Sequence, residues 1–109
     1  MKFYRFQCSN KQRFDIPLSV IVRDKAEYAL EKNWFELEDI PEENRLGVCY
    51  QKIEAEFEQD HSEIEDWARN NMNWSDVVEY AKVVPTNDIE PDMQSEWCDP
   101  IDVEIIRQN

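Results

Sequence analysis

His61 is the only histidine in the chain, and Glu58, Asp60, Glu63 and Glu65 all lie within four residues of it. One imidazole among carboxylates is a donor set for a divalent cation, which would acidify a bound water and turn it into a nucleophile for hydrolysis. A solvated linker between two helices is the commoner setting for such a histidine, and the Asp-x-Asp-x-Asp-Gly order of a calcium loop is missing. A two-histidine metal site cannot form, and a Ser-His-Asp triad has only His61 to draw on. A metal-dependent hydrolase centred on His61 therefore ranks third among the functions considered, and no metal or other cofactor is expected.

Cys98, between Trp97 and Asp99, is the candidate nucleophile. Acidic neighbours raise a thiol's pKa and deplete the reactive thiolate. The 25 Asp and Glu residues would supply carboxylate pairs for glycoside chemistry, but with so many acids no pair stands out. Gly47 is the sole glycine, which rules out the Gly-rich loops that cradle phosphates. The residue types point to a protein that is not an enzyme.

Charge is the more informative feature. The net charge is −13, unevenly spread. Residues 1–25 carry six Lys or Arg against two acids, 27–66 carry fourteen acids against three bases, and 88–104 carry seven acids and no base. A surface of this kind repels nucleic acid and anionic membranes and attracts basic patches, with steering that weakens as salt rises. A globule about 30 Å across would span roughly 18 duplex charges, a density that −13 approaches. The predicted contact surface comprises Glu36, Glu38, Asp39, Glu42, Glu43, Glu54, Glu56, Glu58, Asp88, Glu90 and Asp92, with Trp34 or Trp97 as apolar anchor. Its expected partner is the basic surface of another protein, with no direct nucleic-acid contact and no membrane. The rival is a structural or assembly adaptor in which apolar surface makes the contact and the acids only solubilise. For Trp34 and Trp97 the alternative to an interface anchor is a buried loop anchor.

These residues need a scaffold, and 109 residues with 41% hydrophobic content suit a single domain over 1–109. Period-two alternation predicts strands over 2–8 and 101–107, the run from Tyr80 into Pro85 reads as a strand over 80–84, and helical spacing predicts helices over 17–32, 43–59 and 62–72. Asp15-Ile16-Pro17 reads as the first helix start, and Ser62 with Glu65 as a capping box for the third. Residues 86–100 read as an acidic loop. The order predicts an α+β fold, with a small, mainly antiparallel sheet of about three strands and about three helices on one face. Ile101, Val103 and Ile105 would make a terminal edge strand and a candidate homodimer contact. The first residues lack a secretory-signal pattern, no run of about 18 apolar residues occurs, and Cys8, Cys49 and Cys98 form no Cys-x-x-Cys. The expectation is a soluble cytoplasmic protein with reduced thiols.

Ile16-Pro17-Leu18-Ser19-Val20-Ile21, followed by Ala26-Glu27-Tyr28, and the segment Asp66-Trp67-Ala68-Arg69-Asn70-Asn71-Met72-Asn73-Trp74-Ser75-Asp76-Val77 resemble small uncharacterised proteins of tailed bacteriophages. The resemblance covers about a quarter of the chain. It implies the cytoplasm of an infected bacterium as the setting, and binding and inhibition of a host DNA-handling or defence protein as the role, through a surface that imitates nucleic acid. It assigns no site residues.

Overall fold

The computed structural model describes residues 2–8, 13–84, 93–98, 100 and 102–107. Strand β1, Lys2–Gln7, turns Tyr4 and Phe6 to one side, where both are fully buried. Strand β2, Arg13–Pro17, runs antiparallel to it, placing Ile16 opposite Tyr4 and Phe14 opposite Phe6. Strand β3, Lys82–Val84, extends the sheet beyond β2, and strand β4, Asp102–Arg107, lies on the other side of β1. The order is β3-β2-β1-β4, with every pair antiparallel. The fold is α+β as predicted, with four strands among the described residues instead of three.

The added strand corrects the reading of Asp15-Ile16-Pro17 as a helix start. A residue before proline is driven into extended backbone, and Pro17 itself sits at φ −53°, ψ 128°, outside the helical region. Helix α1 therefore begins one residue later and spans Leu18–Glu31. Asp15 is 4% exposed within β2 because its register partner Arg5 meets its carboxylate with two hydrogen bonds, Nε at 2.7 Å and a terminal nitrogen at 2.9 Å. Without that bidentate pair a carboxylate in this position would be costly to bury.

Helix α2 spans Glu42–Gln59, α3 Ser62–Asn71, α4 Trp74–Val77 and α5 Met93–Cys98, with a 3₁₀ turn over Val78–Tyr80 after α4. Ile21, Val22 and Ala26 of α1, Ile53 and Phe57 of α2, and Ile64 and Trp67 of α3 share one core with Tyr4, Phe6, Phe14 and Ile16. Lys25 of α1 is buried within this helical layer. Its Nζ lies 2.7 Å from Glu56 and 3.9 Å from Glu63, and 5.2 and 5.5 Å from the ring centres of Phe57 and Trp67.

Two further boundaries differ from expectation. The strand predicted over 80–84 starts at Lys82, because Asn73 and Asp76 form a reciprocal capping box that launches α4 and the 3₁₀ turn holding Tyr80. Of the predicted acidic loop over 86–100, residues 93–98 are helix α5, while 86–92 and 99 lie outside the described residues. At α3 the expected Ser62–Glu65 box is absent. Asp60 accepts both the Ser62 amide at 3.0 Å and its hydroxyl at 2.6 Å, bonds that hold the Asp60 carboxyl below its usual pKa.

The sheet face opposite the core carries a row of alternating charge. Register places Lys82 beside Asp15, Asp15 beside Arg5, and Arg5 beside Glu104, in strand order β3-β2-β1-β4. Opposite charges directly across antiparallel strands stabilise the pairing.

Candidate functional site

The residues that emerge as a surface lie where α1 ends. Asn33 adopts φ 55°, the left-handed conformation that Asn tolerates better than most residues. The Asn33 amide then donates to the Leu30 carbonyl at 3.3 Å and the Trp34 amide to the Ala29 carbonyl at 3.0 Å, the paired bonds of a Schellman motif. This turn folds Trp34 back over α1, where its ring stands edge-on to Tyr28 at 5.3 Å and to Trp67 at 6.1 Å. Tyr28 and Trp67 complete the triangle at 5.4 Å. Trp67 is buried beneath and donates its indole N–H to Asp24 at 2.9 Å, whereas Tyr28 and Trp34 stay 40% and 47% exposed. Trp34 is thus an exposed aromatic held in place from below.

Acid surrounds this triangle on two sides. On one side Glu36, Glu38, Asp39, Glu42 and Glu43 are all exposed, and none makes an ion pair among the described residues. Leu37, buried, and the Arg45 Nε bond to the Ile40 carbonyl at 3.0 Å tie this stretch down beside a cleft of about 430 Å³ that Trp34 helps to line. Glu42 and Glu43 also occupy the first turn of α2, where negative charge favours the helix dipole, so they have a structural role as well. On the other side Asp24, Glu27, Asp76 and Glu79 line an open groove of about 780 Å³ with Tyr80. Among the described residues its one cation, Arg23, is engaged with Glu27 at 3.0 Å. Burial, with Asp76 and Glu27 adding repulsion, raises the Asp24 carboxyl above its usual pKa, and the Trp67 hydrogen bond opposes that shift.

The structure sorts the predicted contact residues. Trp34, Glu36 and Glu38 line one cleft, Asp39, Glu42 and Glu43 follow them in the chain as exposed residues, and Glu54 is exposed on α2. Glu56 is committed to Lys25, and Glu58 lies 3.8 Å from Lys2. Asp88, Glu90 and Asp92 lie outside the described residues. Trp97 is a correction. It is 1% exposed, packs against Tyr4 and Phe6, and donates its indole N–H to the Met72 carbonyl at 3.1 Å, so it is no surface anchor. Sequence reading missed Tyr28, Asp24, Glu27, Asp76 and Glu79. The i, i+3, i+4 spacing of Asp24, Glu27 and Tyr28 on α1 was the available signal, while Asp76 and Glu79 join them only through tertiary packing.

Of the carboxylates near His61, only Glu58 shares a cleft with it, which Glu54, Lys2 and Arg107 also line. Asp60 serves Ser62, Glu65 is 3.2 Å from Arg69, and Glu63 faces Lys25. Among the described residues no three His, Cys, Asp or Glu side chains are grouped to hold a metal ion. The Cys98 sulfur accepts from the Gln94 side-chain amide at 3.2 Å, a donor that cannot serve as a base. Cys98 is exposed, whereas Cys8 and Cys49 are fully buried, and burial pushes the Cys8 thiol up to about 11. In native protein at neutral pH, a colorimetric thiol reagent should therefore titrate Cys98 alone, and all three cysteines only after denaturation. A second thiol reacting rapidly in native protein would contradict this packing.

No family model matches the chain, and no curated protein or solved structure matches it. Among the described residues no helix is long and apolar enough to cross a membrane.

Proposed function

We propose that this is a small, non-enzymatic binding protein of phage type that docks on a basic patch of a host protein and thereby inhibits a DNA-handling or defence factor. The observation that carries the reading is Trp34, nearly half exposed yet held edge-on against Tyr28 and Trp67, with Glu36 and Glu38 lining the same cleft. A rigid, exposed tryptophan loses little entropy on binding and offers a large apolar contact, as at interface hot spots. The exposed carboxylates at 36–43, none of them ion-paired among the described residues, supply the complementary charge and the steering.

Shape refines the electrostatic side of the proposal. The molecule extends 53 Å along its longest axis. A duplex of that length carries roughly 31 charges, so a net charge of −13 is below half that density. Imitation of nucleic acid is therefore local, at the Trp34 cleft and the acidic groove lined by Asp24, Glu27, Asp76 and Glu79.

Tagged protein used to capture partners from bacterial lysate at low and moderate salt tests the reading. Capture should fall steeply with salt. Trp34→Ala should weaken the partner's affinity about tenfold, as should joint reversal of Glu36, Glu38 and Asp39 to lysine. Binding indifferent to salt and to both sets of changes would refute the proposal and favour the adaptor.

A further inference from the structure

The sheet has two edges built differently. β3 is three residues long and carries Lys82, features that discourage a further strand. β4 is six residues long, contains no Pro, Gly or Lys, and pairs residue for residue with β1 from Lys2↔Arg107 to Gln7↔Asp102 without a bulge. No described strand occupies its outer side.

The charge pattern specifies what that edge would accept. Across the face opposite the core the row Lys82, Asp15, Arg5, Glu104 alternates in sign and stops at a carboxylate on β4. The neighbouring row runs Arg13, Gln7, Asp102 and also stops at a carboxylate. On the core side of β4, Val103 and Ile105 pack against the hydrophobic cluster and are half-buried. A fifth strand continuing these rows would place cations opposite Asp102 and Glu104, and apolar residues opposite Val103 and Ile105.

We propose that β4 is a docking edge for an extended segment of the partner protein in which Lys or Arg alternates with apolar residues. A second copy of this chain does not meet the requirement. Two β4 strands related by a two-fold axis normal to the sheet can place only Asp102, Glu104 or Ile106 opposite Asp102 and Glu104, so every self-register lacks the cation. The inference rests on the proposed basic partner for the sign of its charge, but it concerns a separate surface from Trp34.

The test uses the full-length protein, isotope-labelled for amide NMR, titrated with the capped hexapeptide Lys-Val-Lys-Val-Lys-Val. Amide shifts should concentrate on 102–107. A peptide of the same charge with proline replacing the central valine should bind about tenfold more weakly, because a strand cannot pair through proline's missing N–H. Joint Asp102→Lys and Glu104→Lys substitution should weaken the all-valine peptide about tenfold, with thermal melts confirming that the variant is folded. Trp34→Ala should bind the peptide as wild type does. Equal affinity for the two peptides, or shifts confined to the Trp34 surface, would overturn the strand-docking inference while leaving the proposed function intact. β4 shifts that follow protein concentration without peptide would assign the edge to a second copy and overturn the partner assignment.

Discussion

Trp97→Ala is expected to lower folding stability by about 3–5 kcal/mol, the range for removing a large aromatic side chain from a core. Trp97 is 1% exposed and meets Tyr4 at 5.5 Å and Phe6 at 5.2 Å, both edge-to-face, so truncation leaves a cavity lined by rigid rings on β1 that cannot collapse into it. The Met72 carbonyl also loses its indole donor. Against a total stability of about 5–15 kcal/mol for a domain of ordinary robustness, that is a large share. Trp97→Phe keeps an aromatic body but not the N–H, and should cost about 1–3 kcal/mol. Urea unfolding followed by far-UV circular dichroism measures both. A loss below about 1 kcal/mol for the alanine variant would mean that α5 does not contribute to the core as described. The practical consequence is that reduced partner binding by a Trp97 variant would report unfolding, whereas the same loss at Trp34 would report contact.

Lys25→Ala is expected to cost about 2–3 kcal/mol. Removing one partner of a fully buried ion pair costs about 3–5 kcal/mol, mostly because the other charge is stranded away from water. Here the remaining carboxylates of Glu56 and Glu63 are 41% and 43% exposed, so water can reach them and the cost falls below that range. What is lost in addition is the packed stem and the contact of the ammonium with the Phe57 and Trp67 rings. Lys25→Met retains most of the stem and should cost about 1 kcal/mol, so the pair of variants separates packing from charge. If methionine were as damaging as alanine, the charge and not the stem would be the main contribution. Because Trp67 supports Trp34 from below, the alanine variant should also loosen the aromatic surface, visible as a shift in tryptophan fluorescence.

Much of the scaffold was legible because it depends on near neighbours. The alternation in β1 and β4 and the three- and four-residue spacing of apolar groups in α1, α2 and α3 are local patterns, and those elements form within one or two residues of expectation. β2 was not legible in the same way. Its five residues bury three in succession, Phe14, Asp15 and Ile16, which breaks the alternation, and the middle one is a carboxylate whose burial depends on Arg5, ten positions earlier in the chain. The candidate surface divides along the same line. The acids at 36–43 are exposed as expected, but Glu56 had a partner in Lys25 that lies 31 residues away.

The two tryptophans in acidic segments show the limit most clearly. Trp34 and Trp97 are equivalent as sequence, each an aromatic among Glu and Asp. The sequence by itself determined the uneven charge, the α+β class and the presence of a core-forming set of apolar residues, because composition and local periodicity suffice for those. Tertiary structure alone decided that Trp34 is turned outward by the left-handed Asn33 while Trp97 is drawn against β1, and that Asp76 and Glu79 share a groove with Asp24 and Glu27. Each of those outcomes depends on register and on contacts between segments distant in the chain, whose energies are set by which surfaces meet and not by the order of residues within either one.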